Sequence, residues 1–118
     1  MIVVQSDHFP ISTNALFANV AGRGRVRTKR YKEWAQAAGW DANGKGSISG
    51  PFELRLVLSR RKRRKGQDLS NLIKCVEDLL VSHGIVEDDS LNEKITMAWG
   101  DCPGFYVEVI PYPSMTSR

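Results

Sequence analysis

Between residues 52 and 58 the chain alternates, with Phe52, Leu54, Leu56 and Leu58 set against Glu53, Arg55 and Val57. A period of two predicts a strand with one buried face. The period then changes: Leu69, Leu72, Ile73, Val76, Leu79 and Leu80 recur at helical intervals. They predict an amphipathic helix from about Asp68 to Ser82, stopped by Gly84. An earlier helix is predicted from an N-cap at Thr28, through Tyr31, Trp34, Ala35 and Ala38, to a stop at Gly39. Residues 1–5 read as a short β-branched strand, and 94–99 and 105–110 as two more, joined through residues 100–104 as a hairpin. The stretch from Ser6 to Arg27 has turn formers and no helical period, which predicts a loop or an extended arm. The order strand, helix, strand, helix, strand, strand predicts an α/β fold: a mixed sheet of about four strands with two main helices, in one domain over residues 1–118.

Composition leaves that picture in place. Hydrophobic residues make up 42% and charged residues 25% of the 118, close to the averages for folded globular chains. No apolar run nears the ~20 residues that span a bilayer. The N-terminus has neither a basic lead nor a long apolar segment, so a cytoplasmic protein with no membrane partner is expected. Cys75 and Cys102 lack metal-finger spacing and are too few for a disulfide framework, and are read as reduced thiols.

Charge changes the picture more. The net charge is +4, and twelve of the seventeen Lys and Arg fall in two blocks, one holding Arg23, Arg25, Arg27, Lys29, Arg30 and Lys32 and the other Arg60, Arg61, Lys62, Arg63, Arg64 and Lys65. The acids gather elsewhere: Asp68, Glu77, Asp78, Glu87, Asp88, Asp89 and Glu93. Basic surface suits a polyanion, and an acidic pocket beside it suits a divalent cation. A solvated, soluble surface is the plainer alternative.

Asp68, Asp88 and Asp89 are the candidate metal ligands, because magnesium takes carboxylate oxygens and completes its shell with substrate phosphate. A metal so held polarises a phosphodiester and activates water. Lys74, one to two helical turns beyond Asp68, is placed to meet a phosphate. The alternatives are that Asp68 is an N-cap, Asp88 and Asp89 are turn residues and Lys74 is solvated. Closure of the acids is a matter of length: the helix from Asp68 to Gly84 spans about 24 Å, and five extended residues return about 17 Å. Residues 85–89 must therefore run back along the helix, or a second copy must complete the site. Asp78 lies about 15 Å along the axis from Asp68, too far to share a ligand position with it.

Residues 68–95, beginning "DLSNLIK" and containing the Asp88–Asp89 pair, resemble the signature of RusA-type Holliday junction resolvases. In that pattern an Asp-x-Asp-Asn-x-x-Lys run opens a helix and an Asp pair follows its end. The arm and first helix, residues 12–34, also look like those of the family. The resemblance implies a small α/β homodimer, often prophage-encoded, that takes part in DNA recombination and repair. It implies cleavage of four-way DNA junctions with Mg²⁺ or Mn²⁺ and no small-molecule substrate. Asp68 matches the first catalytic Asp, Lys74 the motif lysine and Asp89 the later catalytic Asp, with Asp88 beside it. Ser70 stands where the pattern has its second catalytic Asp, so the pocket has one formal negative charge fewer. Two outcomes stand open: an active endonuclease, or a branched-DNA binding protein whose chemistry has been lost at Ser70. An RNA-binding module whose acids only cap and turn is a third.

The cations then read as DNA contacts. Arg23, Arg25, Arg27, Lys29 and Arg30 on the arm, and Arg60, Arg61, Lys62, Arg63, Arg64 and Lys65 after the strand, would grip phosphates without reading sequence. Phe17 and Tyr31 are candidate wedges for an opened junction. Trp34 and Trp99 are expected to pack, and His83 to complement a helix C-terminus.

Overall fold

A computed structural model describes residues 1–113. The alternating run becomes the interior of a sheet. In chain order the elements are β1 (Ile2–Ser6), β2 (Phe17–Val20), β3 (Gly24–Arg27), α1 (Lys29–Ala42), β4 (Phe52–Ser59), α2 (Ile73–Ser82), β5 (Asn92–Gly100) and β6 (Phe105–Pro111). The four-stranded sheet has the order β1-β6-β4-β5, with β4 parallel to β5 and antiparallel to β6. This is the mixed α/β architecture expected from the sequence.

Register explains which residues the helices cover. Val4, Val107, Leu56 and Met97 form one cross-sheet row, and Ser6, Phe105, Leu58 and Trp99 the next. Leu56, Leu58, Phe105 and Val107 are buried in one core with Trp34 and Ala38 of α1 and Cys75, Val76, Leu79 and Leu80 of α2. Each such leucine contributes about 1.5–3 kcal/mol of burial. The opposite face carries Gln5, Tyr106, Val57 and Ala98 in one row and Val3, Glu108, Arg55 and Thr96 in another. That face is more polar: Arg55 reaches Glu53 at 3.2 Å and Glu108 at 3.9 Å.

Four expectations about the fold are corrected. β5 and β6 do not form a hairpin with each other, because β4 lies between them. β4, six of whose eight residues are buried, has a strand on each side. The connection over residues 101–104 instead crosses the end of β4, where Ser59 N–H donates to Gly104 O at 2.9 Å. Gly104 passes so close to the end of β1 that a Cβ there would lie 2.5 Å from Ser6 O. The arm is not a loop throughout: β2 and β3 pair as a hairpin, with Phe17 opposite Arg27 and Asn19 opposite Arg25. Gly22, at φ +77°, lets its turn close.

Gly39 does not end α1, which continues to Ala42. It is an interhelical contact, since a Cβ at Gly39 would lie 2.9 Å from His83 Nε2. Thr28 is the N-cap as expected, accepting from Tyr31 N–H. The second helix begins differently from its expected form: a 3-10 turn over Leu69–Leu72 leads into α2. No helix among the described residues is long and apolar enough to cross a membrane.

Candidate active site

Asp68 stands where the chain turns from the basic tract into α2. Its backbone is extended (φ −96°, ψ 137°), its carboxylate is exposed, and the side chain makes no capping hydrogen bond. Only the backbone carbonyl caps, accepting from Asn71 N–H at 3.2 Å. The carboxylate is thus not consumed by the role that explained it equally well from sequence. Ser70 is exposed on the same 3-10 turn.

Residues 85–89 do run back along the helix. Asp89, at the start of a short 3-10 turn, accepts a hydrogen bond from Lys74 Nζ at 2.8 Å, so the acid pair returns to Lys74 within one chain, but Asp68 does not join Asp88 and Asp89 in one group. Lys74 also lies 3.3 Å from Asp78 Oδ1, one turn further along α2, and Arg27 donates to Asp78 Oδ2 at 2.9 Å. Arg27, Asp78, Lys74 and Asp89 therefore form a continuous chain of alternating charge from the arm to the acid pair. The hydrogen bond to Asp89 is the main cause that raises the Lys74 pKa above its ordinary value, against an opposing effect of burial. Lys74 accordingly stays cationic at neutral pH.

Asp78 is distant from Asp68 along the chain's helical run, and its place is with Lys74. The spacing from Lys74 to Asp78, four residues on a helix face, was the available signal. Glu77 was missed as well. Burial pushes its carboxyl pKa up, and Asn92 Nδ2, donating at 3.3 Å, pulls the other way, while the charge of Asp89 adds to the rise. Asn92 Oδ1 is buried beside it with no protein partner. Asp88 is exposed and accepts from Ser90 Oγ at 2.6 Å; that bond is the first cause holding its carboxyl below the usual range, with Asp89 the second.

The donor set suits a hard cation in kind, since Asp68, Asp88 and Asp89 offer carboxylate oxygens. It is not a closed cage: among the described residues no three His, Cys, Asp or Glu side chains come together in a metal-holding group. Magnesium commonly takes only one or two carboxylates and fills the rest with water and phosphate, so an open set of this chemistry fits such an ion.

The cations separate into held and available groups. Arg27 is turned inward, bonded to Asp78 and lying 4.4 Å over the Tyr31 ring and 4.8 Å over Phe17. Arg25 covers Phe17 at 4.1 Å, while Arg23 lies in the β2–β3 turn. In the second tract Arg60 donates to Trp99 O at 3.1 Å, Lys62 to Asp7 O at 2.6 Å, and Arg63 lies 4.8 Å over the Trp99 ring. Lys29, Arg30, Arg61, Arg64 and Lys65 are exposed. Arg30 from the first block and Lys62 and Arg64 from the second line one cavity of about 390 Å³, so the two tracts converge.

Of the two wedge candidates, Tyr31 is corrected: it is 7% exposed and packs on Trp34, and its phenol pKa is raised chiefly by burial. Phe17 is half-buried beneath two guanidiniums. Trp34 packs in the core and Trp99 against it, as expected. Both cysteines are free, and burial pushes the Cys75 thiol up to about 12.

No curated protein matches the chain. The family model of the endodeoxyribonuclease RusA matches residues 9–110, which hold both basic tracts, the 3-10 turn after Asp68, Lys74 and the Asp88–Asp89 pair. RusA enzymes are crossover junction endodeoxyribonucleases, and they act on branched DNA. A match that takes in both helices and three of the four strands of the sheet places this chain in the RusA endodeoxyribonuclease family.

Proposed function

We propose that this protein resolves four-way DNA junctions by hydrolysing paired phosphodiesters, as a homodimer that uses Mg²⁺ or Mn²⁺. The observation that carries the reading is the Lys74–Asp89 contact at 2.8 Å, which joins the helix start to the later acid pair. Asp68 and Asp89, with Asp88 beside them, would hold the ion, whose chemistry is to polarise the scissile phosphate and make water nucleophilic at neutral pH. Lys74, kept cationic by its two carboxylates, offsets charge on the phosphate as the bond breaks. Asp78 holds Lys74 in place and is itself held by Arg27. The exposed cations bind the strands on either side, and two copies supply two cuts.

Ser70 favours a second reading. Its neutral, exposed side chain replaces a carboxylate of the family pattern, so a protein that binds junctions without cutting them fits the same surface. Labelled four-way junction incubated with Mg²⁺ or Mn²⁺ separates the two. Symmetric paired nicks establish the enzyme, whereas tight binding with no nicks establishes the binder. Ser70→Asp should then raise cleavage, and a Ser70→Asp variant that binds junction normally but remains silent would remove Ser70 as the cause.

A further inference from the structure

The cavity where the two basic tracts converge holds more than a phosphate grip requires. Its walls include Phe9, Ser12 and Gln67 as well as Arg30, Lys62 and Arg64, around about 390 Å³. That volume is at the small end of ligand clefts, about 300–1,000 Å³. Its walls are also braced. Phe9 is stacked parallel to Trp99, with centroids 6.3 Å apart and planes 9° off, and Arg63 lies over Trp99. Lys62 is tied to Asp7 O at 2.6 Å, and Gln67 Oε1 accepts Arg64 N–H at 3.0 Å, which leaves the Gln67 amide NH₂ as the group on offer. Walls fixed in advance lower the ordering cost of binding.

Paired duplex buries its base faces and presents only phosphates to such a trough. An aromatic wall beside three cations matches a nucleotide whose base is unstacked, with the base against the ring and its phosphates on the cations. We infer that this cavity takes one unpaired nucleotide of a DNA strand, its base on Phe9 and its phosphates on Arg30, Lys62 and Arg64. Gln67 directly precedes Asp68 in the chain, so their Cα atoms are about 3.8 Å apart. A strand seated there runs past the turn that carries Asp68, which itself does not line the cavity. The inference rests on the reading of Asp68 as part of the reaction centre and adds how the strand reaches it.

The test compares affinities in EDTA, so that no cutting intervenes, for a fully paired duplex, a duplex with a five-nucleotide gap, and a four-way junction. Phe9→Leu, which keeps an apolar side chain without a ring, should weaken gapped DNA about five- to hundredfold and leave paired duplex within about twofold. Phe9→Tyr should restore the preference. Equal losses on gapped and paired DNA, or no loss on either, would overturn the inference. Should Phe9→Leu fail to fold, the unaltered protein answers alone: gapped DNA carrying 5-iodouracil should photocrosslink to Phe9 or Trp99, and adducts found only elsewhere refute the site. Paired nicking of a four-way junction by the unaltered protein with Mg²⁺ or Mn²⁺ tests the nuclease reading separately, so either can fail without the other.

Discussion

At the start of α2, Arg27, Lys74, Asp78 and Asp89 neutralise one another at 2.8 to 3.3 Å. A few residues upstream, Arg61, Arg64 and Lys65 are exposed and make no ion pair among the described residues. The two regions carry similar side chains in opposite conditions. Charges that are partnered within the fold set positions, and Asp78 is 12% exposed because two cations hold it. Charges left in water keep their field for a polyanion. The difference teaches that the sparser network sets geometry, while the dense tract keeps its charge in water, which suits the grip proposed for it.

The largest effect that sharpens this contrast is on affinity. Replacing Arg61, Arg64 and Lys65 together by Ala should weaken junction binding by roughly an order of magnitude or more and flatten the log K against log salt slope by about 3. Stability should move by no more than about 0.5 kcal/mol. A pronounced loss of melting temperature would show that the tract is structural after all.

Next in size is Asp78→Ala, which leaves Arg27 and Lys74 without their shared partner. The expected loss is about 1–2 kcal/mol, toward the low side for a buried charged hydrogen-bond network. Arg27 and Lys74 are 37% and 39% exposed, and water screens them. Denaturant unfolding checks it, and a neutral result would break the distinction between the two regions.

How much of this was legible follows from which signals are local. β4 and α2 were readable because their periods, two and about 3.6, match the faces they bury. The return of Asp89 to the helix start was readable as a condition, since lengths allowed it only along one path. The role of Asp78 was not, because it was judged by its distance from Asp68 and not from Lys74. Glu77 and Asn92 gave no sign, as their pairing spans fifteen residues and two elements. The β2–β3 hairpin hid behind short strands of Ala, Asn, Gly and Arg. The sheet order was hidden for a different reason: two successive strands joined by Gly, Asp, Cys, Pro and Gly look like a hairpin, and no local signal shows that β4 lies between them.

The smallest effect concerns pH. Burial raises the Glu77 carboxyl, so the folded protein holds that proton more readily than the unfolded chain does. By linkage this costs stability as pH rises above the unfolded value of about 4.3 and through the raised one. Glu77→Gln removes the cost and can still accept from Asn92. Its melting temperature should match the parent near pH 4 and exceed it slightly at pH 7. An equal offset at both values would mean that the Glu77 environment does not penalise charge.

The place of β6 has a consequence for how the chain comes together. It is the last strand among the described residues, yet it lies inside the sheet and pairs with β1, matching Val109 with Ile2. During synthesis β1 emerges ahead of β6 by four strands and two helices, and waits without a sheet neighbour until β6 follows. Contacts of such long sequence separation slow folding, and a ribosome-bound fragment that stops before Phe105 leaves two apolar strands, β1 and β4, seeking a mate. Nascent chains of this protein are therefore exposed to aggregation until β6 has been made.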